Sequence, residues 1–337
     1  MADGFGNHLR VSLFGESHGP AVGVTVEGLP AGLRPDFELI AQEMARRAPG
    51  QSAMTTARKE ADEVEVLSGI YNGKLTGTAL TAIIRNLGQH SRDYASEMDE
   101  PRPGHADYTG HVRYHGHEDP RGGGHFSARI TAGLVFAGAL TKQWLKEFGI
   151  EITSRIVRIG NVTGSEFNDE MRAEITSAKE ALDSVGGVVE CKISGLPAGL
   201  GAPFFDSAES VIAHVLFSVP GVKGVEFGLG FGMGALRGSD CNDEMTMVNG
   251  KISHKTNRSG GILGGITNGE DVIFRAALRP TPSVAKTQQS VSLREGIDKE
   301  INIHGRHDPC IVIRALPVIE SVAALAVGEL WKERMTW

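Results

Sequence analysis

Between Ala132 and Leu140 every residue is apolar or small, inside a longer pattern in which Ile130, Leu134, Ala137, Leu140, Trp144 and Phe148 share one helical face. A helix over Ser127–Phe148 with no polar side in its middle has to be covered all round. The apolar window is too short to cross a membrane, which takes about 18 residues or more. The chain must therefore build layers around this helix. A second apolar run, Val318–Leu330, carries Glu320 within it and predicts a last helix from near Pro317 to about Arg334.

The covering layers read as sheets. Leu9, Val11 and Leu13 alternate with His8, Arg10 and Ser12, and Val22, Val24 and Val26 alternate with Gly23, Thr25 and Glu27. This is the period of half-buried strands, here joined by the tight polar loop Gly15–Pro20. Further strands are expected over Val64–Ile70, Thr78–Arg85, Val188–Ser194, Gly224–Phe231 and Asp271–Arg279, with an exposed hairpin in Met245–Asn257. Helices are expected over Pro35–Arg47, Asn168–Ser184 and Asp206–Ser218. Asn86–His125 reads as a long polar loop and Thr281–Ile303 as a polar, mobile segment. No repeat, linker or βαβ alternation is visible, so the expectation is one α+β domain over residues 1–337.

Glycine numbers 44 of 337 residues, near twice the usual ~7%, and without a collagen period these residues serve turns and close backbone approaches. Lys and Arg number 34 against 41 Asp and Glu, a net charge of −7, which argues against a nucleic-acid partner. Cys191, Cys241 and Cys310 are distant and odd in number, as in a reduced, cytoplasmic protein. No leader or membrane span is expected.

The polar loops carry the chemistry. Ser17-His18 lies in a glycine-bounded turn, where a histidine suits proton transfer near neutral pH. Arg102-Pro-Gly-His105-Ala-Asp107 combines a stiff turn with acid–base groups. Arg121-Gly-Gly-Gly-His125-Phe126-Ser127-Ala-Arg129 runs a glycine-rich turn into a helix start, an anion site by its free backbone N–H groups. It matches neither a P-loop nor a dinucleotide fingerprint. Gly260-Gly-Ile-Leu-Gly-Gly265 permits close approach to a flat ligand, or simply tight turns. Arg279-Pro280-Thr281-Pro282-Ser283 offers a cation and hydroxyls for phosphate. Arg306-His-Asp308-Pro-Cys310 offers either a helix cap or a base. His115-Gly-His117-Glu118-Asp119 has ligand types for a metal but no second cluster, so no metal is assigned.

Together, in this order and across almost the whole chain, Phe14-Gly-Glu-Ser-His-Gly19, Arg102–Thr109, Arg121–Gly124 with Ser127-Ala-Arg129, Gly260–Gly265 and Arg306–Cys310 resemble the chorismate synthase family. The resemblance implies a β-α-β-α sandwich, long central helices covered by two antiparallel sheets, assembled as a homotetramer. It implies conversion of 5-enolpyruvylshikimate 3-phosphate to chorismate and phosphate by 1,4-anti elimination, with reduced FMN and no net redox change, and with NADPH as a possible reductant. By resemblance His18, aided by Ser17, protonates the leaving phosphate, and His105 stabilises the reduced flavin. Asp308 works with flavin N5 as the base at C6, and Ser127 is also catalytic. Flavin contacts fall on His125, Phe126, Ser127, Gly264, Arg279, Pro280, Thr281, Pro282, Ser283 and Arg306; substrate contacts fall on Arg47, Arg129 and His18.

The chain departs from the family pattern at Ala48, Ala53, His125 and Ile130, where two further arginines, a third after the triple glycine and a Glu are usual, and Arg279 stands for a Lys. The missing arginines and the histidine-rich loop leave a rival reading, a metal-dependent phosphohydrolase or a non-catalytic flavin-binding relative.

Overall fold

A computed structural model describes residues 3–50, 62–87, 99–303 and 308–336. Among these, two five-stranded antiparallel sheets form. The first runs in the order Gly4–Phe5, Arg10–Gly15, Ala21–Glu27, Leu80–Arg85 and Val64–Ser68. The second runs Val222–Phe227, Val272–Leu278, Gly187–Ser194, Glu151–Ile159 and Val162–Thr163.

The alternation in the sequence sets which face each strand buries. Val11 stands opposite Val26, and Val22, Val24, Leu80, Ala82 and Ile84 join them on the inner face of the first sheet. That face packs on the central helix, Thr131–Lys146, which is buried without a break from Thr131 to Thr141. Val189, Cys191, Ile193, Phe274 and Ala276 form the inner face of the second sheet, which packs on the C-terminal helix, Val312–Arg334. The two helices pack on each other. At their crossing a Cβ on Gly138 would lie 2.2 Å from Ser321 Cβ, so only glycine permits that approach. The buried apolar residues of both halves form one continuous cluster.

Two buried carboxylates of the C-terminal helix fasten other elements to it. Glu320 accepts a forked pair of bonds from Arg46, Nη1 and Nη2 each at 2.8 Å, together with Lys142 Nζ at 2.5 Å and Ser154 Oγ at 2.7 Å. Burial alone would raise its pKa, but the Arg46 hydrogen bonds and the Lys142 charge hold it down at about 2. Glu329 accepts the backbone N–H groups of Asn7 (2.8 Å), His8 (3.0 Å) and Leu9 (2.7 Å). The first of these knots fixes the end of helix Phe37–Arg47. That helix starts where Asp36 accepts from the N–H groups of Glu38 and Leu39.

Several sequence expectations change. The Asn86–His125 stretch contains a helix, Asp107–Tyr114, with only Gly110 buried, so it has no apolar stripe to betray it. Its C-cap, His115, takes a left-handed conformation. Thr281–Ile303 contains a hairpin, Thr287–Ser292 with Ile297–Asn302, anchored where Asp99 accepts from Ser292 Oγ (2.9 Å) and Arg294 N–H (2.8 Å). The last helix begins at Val312, with Pro317 inside it. In helix Phe37–Arg47 the buried face carries Ile40, Met44 and Arg47, and Phe37 is exposed.

Candidate active site

A cavity of about 1110 Å³ lies where the N-terminal turn of the central helix meets the C-terminal ends of helices Phe37–Arg47 and Ala208–Ser218 and the first turn of the C-terminal helix. Its lining brings together Ser17, His18, Arg47, His105, His125, Phe126, Ser127, Arg129, Arg279, Pro280, Thr281, Pro282, Ser283 and Asp308. These come from loops more than 290 residues apart in the chain, so the convergence is a property of the fold.

The triple-glycine turn is the hinge of the arrangement. Gly122, Gly123 and Gly124 all have positive φ, at 59°, 82° and 52°. A Cβ on Gly122 would lie 2.1 Å from His18 Cε1, and one on Gly123 would lie 3.0 Å from His105 Cε1. Two consecutive glycines thus make room for the two histidines. The turn is tied to the His18 loop by the Ser17 N–H, which donates to the Gly124 carbonyl at 3.0 Å. His125 Nδ1 reaches the Gly15 carbonyl at 2.8 Å, and its Nε2 lies 3.1 Å from Asp3 Oδ1. Ser127 caps the following turn, accepting from the Arg129 N–H at 3.3 Å.

His105 is held from behind. Arg102 Nε and Nη2 each donate to Asp107, at 2.8 Å, and His105 Nδ1 is in short contact with the same carboxylate. Burial would raise the Asp107 pKa; the hydrogen bonds from Arg102 and His105 outweigh it and keep the group well below the ordinary carboxylate range. Asp107 therefore stays ionised and fixes the ring orientation.

Asp62 and Asn86 organise Arg47 and Arg129. Asp62 accepts from Arg47 Nε at 2.9 Å and from Arg47 Nη2 through one oxygen, and from Arg129 Nη1 through the other. Asn86 accepts from Arg129 Nε at 3.0 Å and donates to the carbonyls of Glu16 (3.0 Å) and Gly19 (2.8 Å), so it links Arg129 to the His18 turn. Asp308 does not cap the C-terminal helix, whose N-cap is Ile311. Its carboxylate pairs instead with Arg314 Nη1, while Arg314 Nε donates to the Arg47 carbonyl at 2.9 Å. The neighbouring Cys310 thiol is pushed up to about 11 by burial.

Asp62, Asn86 and Arg314 escaped sequence reasoning. Each also has a partner far along the chain, 67, 43 and 267 residues away, and no local spacing reports such pairs. Gly264 is not brought to the cavity. It sits in the turn between Ile262–Leu263 and Ile266–Thr267, at the N-terminal end of helix Ala208–Ser218, whose other end lines the cavity. Eleven helical residues separate the two ends, about 16 Å at ~1.5 Å each. Arg306 lies outside the described residues, as does Ala53.

The remaining lining suits a flat ring with a phosphate tail. Val215, Val219, Pro220, Val222 and Ile311 give an apolar wall beside the Arg279–Ser283 strip. Thr281 Oγ1 in that strip is buried with no hydrogen-bond partner among the described residues, a donor and acceptor fit for a ligand atom. The residues present thus fit the flavin that the resemblance implies. In His115–Asp119, where a metal was the rival reading, Glu118 Oε1 lies 3.2 Å from His111 Nδ1. Among the described residues no group of three or more His, Cys, Asp or Glu side chains is placed to hold a metal ion.

Comparison with known proteins places the chain in a family. The family model for chorismate synthase matches residues 9–331. The chain is 44% identical to the chorismate synthase of Korarchaeum cryptofilum over 97% of its length and 96% of that protein. It is 43% identical to that of Methanocella arvoryzae, over 96% of this chain and 92% of the relative. It is also 43% identical to that of Parabacteroides distasonis, over 96% of each. A solved structure described as a crystal structure of chorismate synthase superposes with a TM-score of 0.77 at 29% identity, covering 98% of this chain and 93% of that one. With the family model matching residues 9–331 and relatives 43–44% identical over nearly its whole length, the chain belongs to the chorismate synthase family.

Proposed function

We propose that the 1110 Å³ cavity is the site where this chain turns 5-enolpyruvylshikimate 3-phosphate into chorismate and phosphate. The family is that of the shikimate-pathway lyase, and the chain is a lyase rather than a phosphohydrolase. The observation that supports this location is the placing of His18 and His105 against consecutive glycines of one turn, with Arg47, Arg129 and Asp308 on the same cavity.

Reduced FMN, when bound, supplies the electron density that lets an overall redox-neutral elimination proceed. The chain's residues do the rest. Arg47 and Arg129 hold the substrate phosphate, and His18, with Ser17 beside it, gives a proton to the departing phosphate oxygen. Asp308 stands as the carboxylate that receives the C6 proton in concert with the flavin. His105, oriented by Asp107, would stabilise the reduced flavin, and Ser127 follows the triple-glycine turn on the same cavity. His125, Phe126, Ser127, Arg279–Ser283 and Arg306 would hold the cofactor, with NADPH the candidate reductant. Gly264 has no part in the cavity of its own chain.

The reading extends to one domain over residues 1–337 with the family's β-α-β-α layering, supported by the continuous core. It also extends to a homotetramer in the cytoplasm, supported by the resemblance and by three cysteines that form no disulfide.

The deciding experiment is anaerobic turnover with reduced FMN and 5-enolpyruvylshikimate 3-phosphate. Chorismate and phosphate should appear in equal amounts, and flavin absorbance should be perturbed only when substrate is added. Flavin binding with no chorismate formed would leave a non-catalytic relative.

A further inference from the structure

Arg47 and Arg129 are not simply two cations on a wall. Arg47 is the last residue of its helix, and Arg129 lies in the short turn before the central helix. The Asp62 side chain is 1% exposed and that of Arg47 3% exposed. Asp62 itself does not line the cavity; it lies behind two arginines that do. One of its oxygens takes Arg47 and the other takes Arg129.

Two guanidinium groups brought this close repel each other, and taking them out of water adds to the cost. Burial pushes the Arg47 pKa down, Asp62 opposes that shift, and Arg314 and Arg129 add to it. A single carboxylate shared between the two offsets part of the penalty and joins them, while Asn86 and the Arg85 carbonyl (3.1 Å) hold Arg129 from its other nitrogens. The planar fork of arginine matches the oxygens of a phosphate only when its plane and position are set.

We propose that Asp62 is a positioning residue for the substrate phosphate: by holding Arg47 on one oxygen and Arg129 on the other, it presets the pair of forks that grips a phosphate monoester. This rests on the reading of the cavity as the substrate site. Asp62 touches neither substrate nor flavin; it acts through the arginines.

The test uses the full-length chain, with Asp62→Asn and Asp62→Glu as variants and two readouts. In turnover, Asp62→Asn should raise KM for the phosphorylated substrate by ~30-fold or more, the scale of breaking one partner of a buried charge pair. Its kcat at saturating substrate should stay within about threefold, as expected when binding shared by ground and transition state is lost. Asp62→Glu, which keeps the carboxylate, should recover part of the KM. In titration with inorganic phosphate, followed by the melting temperature without flavin or substrate, the parent should be stabilised and Asp62→Asn should not.

A lower melting temperature with KM and phosphate response both at parental values would overturn the proposal and make Asp62 purely structural. Tighter phosphate binding by Asp62→Asn would also overturn it, showing that Asp62 competes with the ligand. If Asp62→Asn fails to fold, unchanged KM and phosphate response in Asp62→Glu would count equally against the proposal. A parent that makes no chorismate yet binds phosphate in an Asp62-dependent way would sink the proposed reaction and leave this inference standing.

Discussion

Arg314 grips Asp308 with one arm and the backbone of Arg47 with the other: Nη1 contacts the Asp308 carboxylate while Nε lies 2.9 Å from the Arg47 carbonyl oxygen. The carboxylate proposed to take the C6 proton and the arginine proposed to hold the phosphate are thus braced by one side chain in the first turn of the C-terminal helix. Asp308→Asn keeps the shape but cannot accept a proton. It should turn over at least ~10²-fold more slowly, in line with loss of a catalytic base. Because Asn also breaks the ion pair, a modest fall in melting temperature is expected. Near-parental turnover would return Asp308 to a structural role.

Gly122→Ala should mimic His18→Ala. The Cβ would overlap the His18 ring at a residue whose φ is 59°, so the ring must move. His18→Ala should retain flavin binding and lose ~10²–10⁴-fold in turnover, the range for a positioned general acid. Gly122→Ala should lose turnover to a similar degree while still binding flavin. A fully active Gly122→Ala protein would show that the ring position does not matter.

His105→Ala should weaken binding of reduced flavin more than of oxidised flavin, measured by anaerobic fluorescence titration. Asp107→Asn should shift the same preference, since Asp107 is the ionised partner that orients His105. Equal affinities for both flavin states in both variants, matching the parent, would remove this pair from the flavin site.

Glu320 predicts a pH dependence of stability. Its folded pKa, about 2, lies below the ordinary 4.5. The unfolded chain therefore binds the proton more readily, and stability from this group falls as pH falls. The contribution is full above about pH 4.5 and is lost as pH drops through about 2; it is worth on the order of 3 kcal/mol. Urea unfolding of the parent and of Glu320→Gln should differ most at pH 7 and converge near pH 2. A constant gap across that range would mean that the charge of Glu320 does not carry the effect.

Much of this was readable from local pattern. Alternation around Val11 and Val24 gave the first sheet its inner face, and the apolar run from Ala132 gave the buried helix. The Ser17-His18, triple-glycine and Arg279–Ser283 loops did converge on one cavity. What stayed hidden lacks a local signal. Helix Asp107–Tyr114 buries only Gly110, against the ring of Phe126, so its packing is invisible to periodicity. The hairpin over 287–302 is polar and owes its place to distant Asp99. Pro317 reads as a helix start, yet the helix runs through it from Val312. Gly264 looked like its neighbours in motif but folds to the far end of helix Ala208–Ser218.

The C-terminal helix lies between the central helix and the second sheet, and its Glu329 takes up the N–H groups of Asn7, His8 and Leu9. In the order of synthesis, Leu9 waits for Glu329, made 320 residues later. At about 5–20 residues per second, that wait is tens of seconds. During it the first sheet can already pack on the central helix, but the inner face of the second sheet and one side of the central helix have no final partner. A nonsense mutation that removed only the residues from Val312 onward would spare nearly every motif of the cavity and still leave a chain unable to close its core.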